Sequence, residues 1–358
     1  SLLLFASFIH NFSLSTLLIK QELYFSRMIL VTGGTGLIGA HLLLKLSHSE
    51  EKIRAIYRNE AKLSFVKDFF SSEGKAIQYD KIEWIPADIT DIPALEIAFE
   101  NVTHVYHCAG LISFDPSEYR QLRKTNIEGT ANIVNLCIAN AVKKLCYLSS
   151  IATLGDKVTL DPIDETTYWN PEAENNVYAI TKFGAEMEVW RGTQEGLPVI
   201  ILNPGVVLGE GFKEAPSLAF FKMIENGLSH YPPGSTAFVD VKNVVEALVQ
   251  GMQANIVNER FIVIGANMSY KKTLHTIAEA LNKKQPSRAL TKWQLSLLWR
   301  LDWLLALFPW RKRKLTKNAA HSLITKTMYS NAKIQDKLHV KFIPLEETIK
   351  RIVAKNAY

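Results

Sequence analysis

The order of apolar runs in this chain predicts an α/β protein: a doubly wound parallel sheet followed by a smaller, mostly helical C-terminal lobe. Three observations carry that expectation. From Met28 onward, short apolar runs alternate with stretches of helical spacing, as buried parallel strands and their covering helices do. A glycine-rich turn separates the first run from the first helical stretch. At 358 residues the chain exceeds the usual size of one compact core, which leaves material for a second lobe.

The elements follow in order. Met28–Thr32, Ile53–Tyr57, Ile82–Pro86, His104–His107, Lys144–Ser149 and Val199–Asn203 read as strands buried on both faces. Leu37–Ser47, Pro93–Glu100, Tyr119–Ala141 and Val177–Glu195 carry helical spacing between them. After Asn203 the texture changes, with Gly205, Gly209, Gly211, Pro216, Pro232, Pro233 and Gly234 as punctuation and a helix at Ser217–Asn226. A strand–helix unit at Ala237–Gln250 and a strand at Arg260–Ile264 are expected to rejoin the sheet. The sheet domain is therefore placed at 28–203 with 237–265 returning to it, and the second lobe at 204–236 and 266–358. Residues 1–27 are apolar but broken by His10, Asn11 and Ser13, with neither a basic leader nor a small-residue cleavage pattern. They read as an N-terminal extension ahead of a start at Met28.

Composition narrows the class. With 47% hydrophobic and 21% charged residues the chain is an ordinary globular one. Cys108, Cys137 and Cys146 show no paired spacing, so buried thiols in a reducing, cytoplasmic compartment are expected, without a metal site. The net charge of +6 is uneven: from Lys283 to the end stand 17 Lys/Arg against 4 Asp/Glu. A basic tail on an acidic body fits an anionic ligand or membrane surface. Zinc-finger spacing, RNP aromatics and a basic zipper are all missing, which argues against nucleic acid.

Thr32-Gly33-Gly34-Thr35-Gly36-Leu37-Ile38-Gly39 sets glycines 33, 36 and 39 between strand and helix. A dinucleotide needs this spacing: one glycine for a tight turn, one for close approach to the pyrophosphate, one for helix–strand packing. This is the Rossmann arrangement, and Thr35, Leu37 and Ile38 join the glycines as the cofactor-binding turn. The second strand ends in Tyr57 and Arg58, with Lys62 close behind, where an NAD-selective site offers an acidic group. A guanidinium grips a 2′-phosphate with two parallel hydrogen bonds, so NADP is favoured and NAD stays open.

Tyr178-Ala-Ile-Thr-Lys182 puts a phenol and an ammonium on one helical face. The ammonium favours phenolate and moves the tyrosine toward useful acid–base strength. Tyr329-Ser-Asn-Ala-Lys333 has the same spacing. Only the first copy follows a strand ending in serines, Ser149 and Ser150, at the carboxyl edge where ligands gather in open parallel sheets. Ser150 can donate to an oxygen that gains charge during hydride transfer.

These motifs resemble those of the extended short-chain dehydrogenases/reductases, the NAD-dependent epimerase/dehydratase superfamily. The resemblance also rests on Asp88 in Ala-Asp-Ile-Thr-Asp, His107-Cys-Ala-Gly, Asn126-Ile-Glu-Gly-Thr, Asn203-Pro204-Gly205 and Phe238-Val-Asp-Val. It runs from Met28 to about Gly265 and is nearest the dihydroflavonol reductase and hydroxysteroid dehydrogenase-like branch. It implies that Asp88 and Ile89 contact the adenine and that Cys108, Ala109 and Gly110 line the cofactor. Lys182 would hold the nicotinamide ribose, Asn126 would support the catalytic set of Ser150, Tyr178 and Lys182, and Pro204 and Gly205 would meet the carboxamide. Asn203 replaces the arginine often found before this proline, and its role stays open.

Sugar-nucleotide members tend to carry a base just before the Phe/Tyr-Val-x-Val stretch, whereas Gly234-Ser-Thr-Ala237 has none. The expected function is an NADP-dependent carbonyl reductase or alcohol dehydrogenase acting on an uncharged, lipophilic small molecule. A nucleotide-sugar epimerase/dehydratase and a non-catalytic nucleotide-binding factor are the alternatives. The stretch 292–314, with Trp293, Trp299, Trp303 and Trp310 and a basic run at 311–314, is too short and interrupted to span a bilayer. It reads as a lid over the substrate or a lid that also touches membrane, and a homodimer is left open as the assembly.

Overall fold

The computed structural model describes residues 27–155, 161–212, 215–305 and 315–355. The chain first lays down β1 (Met28–Thr32), β2 (Lys52–Tyr57), β3 (Ile82–Pro86), β4 (His104–His107), β5 (Lys144–Leu148) and β6 (Val199–Pro204). It leaves through β7 (Val206–Leu208), β8 (His230–Tyr231) and β9 (Ser235–Asp240). It returns through β10 (Glu259–Val263) and ends its strands with β11 (Ala266–Ser269) and β12 (Arg288–Ala289). Seven strands form one sheet in the order β10-β6-β5-β4-β1-β2-β3, every neighbouring pair parallel. The order reverses between β1 and β4, which opens a crevice at their carboxyl ends.

Side-chain alternation along each strand feeds two cores. Ile29, Val31, Cys146, Leu148, Ile200 and Leu202 point to one face. There they meet helices α1 (Leu37–Leu46) and, after β9, Val241–Gln253. Leu30, Leu145, Tyr147, Val199 and Ile201 point to the other face, against helices carrying Leu95, Ile133, Val134, Ala185 and Val189. Those helices are α3 (Ile92–Ala98), α4 (Gly129–Ala139) and α5 (Val177–Gln194), with α2 (Ala61–Ser72) between α1 and α3 in sequence. Leu30, fully buried at the sheet centre, would cost roughly 2–5 kcal/mol on truncation to alanine.

Three segments differ from the sequence reading. The helix expected over Tyr119–Ala141 carries a wide, π-type turn at Arg123–Glu128, which turns Asn126 inward. The helix expected at Ser217–Asn226 begins as a tight turn at Pro216–Leu218 and becomes helical as α6 (Ala219–Glu225). The strand expected to rejoin the large sheet at Ala237 does not: β9 pairs antiparallel with β11 and parallel with β7 in a separate three-stranded sheet. Phe238 on β9 fills a third core with Phe221, Leu274, Ile277, Ile349 and Ile352, while Val239 faces the first. Only the helix that follows, α7 (Val241–Gln253), and β10 return to the large sheet.

The third core is closed by α8 (Tyr270–Ala280) and, after α9 (Lys292–Leu305), α10 (Lys317–Ser322) and α11 (Ala332–Leu338), by the last helix, α12 (Leu345–Ala354). Arg351 on α12 donates through Nε to both oxygens of Glu210 at 3.0 Å and bonds Asp240, which also accepts from Thr348 Oγ1 at 2.7 Å. Against the penalty of burial, the Arg351 guanidinium holds the Glu210 carboxyl down at about 2. The final helix is thus fastened to the junction of β9 and α7.

Candidate active site

The crevice is built first from glycines. Gly33 has φ +72°, and a Cβ there would lie 2.6 Å from the Ala109 nitrogen. A Cβ on Gly39 would lie 2.1 Å from the Gly33 carbonyl, while one on Gly36 would meet only that carbonyl, at 3.4 Å. Gly33 and Gly39 are therefore required by packing, and Gly36 by an open approach. The helix that starts there, α1, has no side-chain cap, whereas Asp91, Asn176, Asp240 and Ser269 cap α3, α5, α7 and α8. The first N–H groups of a helix have no intrahelical partner, so those of α1, beginning at Leu37, Ile38 and Gly39, fit a pyrophosphate. Thr35 lies in the same turn.

The neighbouring loop is held by Thr32, whose Oγ1 accepts from the Ala109 nitrogen at 3.2 Å and bonds His107 Nδ1 at 2.7 Å. Burial pushes the Cys108 thiol up to about 12, which makes it a poor nucleophile. A Cβ on Gly110 would meet Asn126 Oδ1 at 3.6 Å and Lys182 Nζ at 4.0 Å, so this loop runs directly past the predicted catalytic residues. At the far rim Arg58 Nη1 stands 3.6 Å from Asp88 Oδ2, and Asp88 Oδ1 accepts from the Thr90 nitrogen and hydroxyl at 2.9 Å. Lys62 is exposed on the first turn of α2, and Ile89 is buried beneath Gly129.

Ser150 follows β5 and caps the turn Ile151–Thr153, its Oγ accepting from the Ala152 nitrogen at 3.2 Å. Its hydroxyl also lies near the Tyr178 phenol. Asn176 caps α5 through the Ala179 nitrogen at 2.8 Å and so fixes where Tyr178 leaves the helix. Tyr178 is half-buried, with Phe114 edge-on at 5.6 Å. In the protein by itself burial pushes this phenol up, and the nearby Ser150 hydroxyl pulls it back. The downward movement expected from Lys182 is therefore not seen here, because the ammonium is bonded elsewhere. Its Nζ donates to Tyr147 Oη at 2.9 Å and to the Leu148 carbonyl at 2.8 Å, above the Tyr147 ring at 4.6 Å. Burial lowers the Lys182 ammonium to about 8, with Glu186 acting the other way.

Asn126 accepts from the Leu111 nitrogen at 2.8 Å and donates to the Leu111 carbonyl at 3.0 Å and Thr181 Oγ1 at 3.2 Å. It joins the Gly110 loop to α5. Pro204 ends β6 opposite Val263, and a Cβ on Gly205 would lie 2.5 Å from the Ala237 carbonyl. The structure thus gathers Gly110, Asn126 and Lys182, with Ser150 and Tyr178 adjacent, whereas Arg58 pairs with Asp88 away from them, Lys62 is exposed and Ile89 is packed into the core beneath Gly129. Sequence reading missed Tyr147 and Glu186. A glutamate one turn beyond Lys182, on the face that buries Lys182 and Ala185, was the available signal.

In the stretch 292–314, α9 turns Leu295 and Asp302 inward, and Asp302 Oδ2 accepts from the Leu315 nitrogen at 2.8 Å. Trp310 and the basic run 311–314 lie outside the described residues. Thr316, Lys317 and Asn318 line a recess of about 100 Å³ with Phe114, Pro116, Asn176 and Val177. Among the described residues no helix is long and apolar enough to cross a membrane.

A glycine turn over an uncapped helix, at the point where a seven-stranded parallel sheet reverses order, defines a nucleotide-binding α/β enzyme. The chain belongs to the NAD-dependent epimerase/dehydratase family, whose model matches residues 29–265, and is an NAD(P)-dependent extended short-chain dehydrogenase/reductase. It is similar to sterol demethylase protein B of Methylococcus capsulatus, 26% identical, covering 73% of this chain and 76% of that one. It is similar to tetraketide alpha-pyrone reductase 2 of Arabidopsis thaliana, 27% identical over 72% of this chain and 83% of the relative. The crystal structure of gox2253 shares the fold, with a TM-score of 0.76 at 23% identity, covering 92% of this chain and 98% of that one.

Proposed function

We propose that this protein is an NADP-dependent carbonyl reductase or alcohol dehydrogenase for an uncharged, lipophilic substrate. The observation that carries the reading is the convergence of Ser150, Tyr178 and Lys182 beside Gly110, next to an apolar wall. Phe114, 46% exposed, stands edge-on to Tyr178, and Ile112, 51% exposed, lies two residues before it. A charged sugar diphosphate would need basic groups there. Similarity to a relative named as a pyrone reductase agrees with a carbonyl substrate.

The bound nicotinamide supplies or takes up the hydride. Tyr178 donates its phenolic proton to the carbonyl oxygen and is left as phenolate. The Ser150 hydroxyl also donates toward the substrate oxygen as it gains charge. Lys182, freed from Tyr147, holds the ribose and stabilises the phenolate by its charge. Asn126 keeps the Gly110 loop against α5 so that the three groups face one space. At the rim Arg58, oriented by Asp88, grips the 2′-phosphate, with Lys62 nearby. Turnover of NADPH with ketones, aldehydes and nucleotide sugars, followed by loss of nicotinamide absorbance, tests the reading. Ketones or aldehydes should be reduced, and turnover confined to nucleotide sugars would overturn it. Arg58→Ala should weaken NADP binding by roughly 1–3 kcal/mol and leave NAD binding nearly unchanged.

A peripheral membrane contact joins this reading because of what α9 leaves uncovered. Trp293, Leu297, Leu298, Leu301, Trp303, Leu304 and Leu305 are all exposed, so α9 shows apolar groups around most of its surface apart from the buried line of Leu295 and Asp302. Lys292 and Arg300 are exposed on the same helix. Apolar groups framed by positive charge suit an anionic lipid surface. Flotation with anionic liposomes should carry the protein upward at low salt, less at high salt. Replacing Arg311, Lys312, Arg313 and Lys314 by Gln should abolish it. Protein that stays at the bottom in low salt leaves α9 as a lid alone.

A further inference from the structure

We propose that Glu186 is a positioning residue for this chemistry: one buried carboxylate that locks the turn carrying Ser150 to the helix carrying Tyr178 and Lys182. The inference rests on the oxidoreductase reading above. Glu186 lies one helical turn beyond Lys182 and is fully buried. Its Oε2 accepts from Ser149 Oγ at 2.5 Å, Thr153 Oγ1 at 2.8 Å and Asn203 Nδ2 at 2.9 Å. Its Oε1 accepts from Arg260 Nη1 at 3.3 Å and Trp190 Nε1 at 3.4 Å. All five partners are donors, so the group they require is an acceptor at both oxygens.

The partners bracket Ser150 on every side. Ser149 precedes it and Thr153 follows it in the turn it caps. Asn203, at the end of β6, reaches its carbonyl through Nδ2 at 3.1 Å. The same nitrogen bonds Thr153 Oγ1 at 2.9 Å, while Oδ1 of Asn203 is buried with no hydrogen-bond partner among the described residues. The amide is thus turned to serve Glu186 and the Ser150 turn at the expense of its own oxygen. Arg260 extends the hold outward, donating to the Glu165 carbonyl at 2.9 Å and the Thr167 carbonyl at 3.1 Å.

An apolar side chain would dock α5 on the sheet without the cost of burying a carboxylate. It would not hold hydroxyl and amide groups from β5, β6 and α5 in one register, and hydride chemistry depends steeply on such placement. Glu186 has a second effect, since its negative charge keeps the buried Lys182 ammonium protonated to higher pH. Asn203, whose part the sequence left open, belongs to this assembly.

The test uses the best carbonyl substrate of the screen above, NADPH titrations by fluorescence, and thermal unfolding to confirm folding. Glu186→Gln should lower kcat roughly 10- to 100-fold with KM and NADPH binding within about twofold. It should also move the alkaline limb of the reduction profile to lower pH by on the order of one unit, because Lys182 loses the charge that supports it. Asn203→Ala should lower kcat with the limb unmoved. Parallel loss of kcat, KM and NADPH affinity in Glu186→Gln with the limb in place would mean a purely structural role and overturn the proposal. Should Glu186→Gln not fold, Asn203→Ala decides: reduced kcat at unchanged KM supports the assembly, and wild-type kcat sinks it. Tyr178→Phe separates the two readings. If it stays active the oxidoreductase assignment fails, whereas an inactive Tyr178→Phe beside a normal Glu186→Gln removes only the positioning role.

Discussion

The chain holds two tyrosine–lysine pairs at identical spacing, and the structure treats their lysines almost alike. Lys182 donates to a strand carbonyl, that of Leu148, and lies 4.6 Å above the ring of Tyr147. Lys333 donates to the Arg260 carbonyl at 2.9 Å and lies 4.8 Å above the ring of Phe261. The difference is in the third partner. Lys333 meets a carboxylate, Glu259, at 3.0 Å and is partly exposed, so its charge is spent. Lys182 is buried against the neutral Tyr147 hydroxyl, with its nearest carboxylate, Glu186, a helical turn away and occupied by five donors. Two residues four apart share a helix face only in the first copy, since Tyr329 bridges Ile163 ahead of the helix that carries Lys333, and the third partner of the lysine decides whether its charge is left for something else.

The largest expected effect breaks the comparison at the tyrosines. Tyr178→Phe should cut turnover by about 10²–10⁴-fold while NADPH affinity holds, and Tyr329→Phe should leave turnover at the wild-type rate. Equal losses in steady-state assays would show that the second pair had been misjudged. Next come the lysines, compared through pH. Burial sets the Lys182 ammonium at about 8 against an ordinary 10.5, so within that window the folded protein holds fewer protons than the unfolded chain. Its contribution to stability therefore rises as pH climbs from about 8 to 10.5, and below that window its cost is felt in full. Denaturant unfolding of wild type relative to Lys182→Met should show a gain on the order of 3 kcal/mol across those pH values. A flat difference would mean that the buried ammonium is not strained. The smallest effect concerns Lys333→Met, which should cost less than about 1 kcal/mol in the same unfolding experiment and leave kcat unchanged.

What could be read from sequence follows from how far apart the cooperating residues are. The glycine turn, the strands through β6 and the Tyr178 face depend on neighbours within one turn or one strand, and their signals are local. The place of β9 depended on whether its partner would be the large sheet or β11, some thirty residues later, and hydrophobic pattern alone serves either. Glu186 was missed because a glutamate in a helix is ordinarily solvated. Its burial is explained only by Arg260, Asn203 and Thr153, which arrive from three other elements. The wide turn holding Asn126 had no local mark, because weak helix residues such as Thr125, Asn126 and Gly129 are compatible with either a regular or a wide turn. The same limit applied to α9, where spacing revealed an apolar stripe but not which part of it the lobe would leave open.

The bare start of α1 has a consequence for how much of this protein persists at any moment. Among the described residues five other helices carry side-chain caps, whereas the open N–H groups at the start of α1 would be capped by the cofactor's pyrophosphate. A ligand that binds only the folded chain adds about 1.4 kcal/mol for each tenfold rise above its dissociation constant. The fraction of molecules open to proteolysis is therefore indexed to free dinucleotide concentration, and a depleted pool should shorten the life of the enzyme as well as idle it.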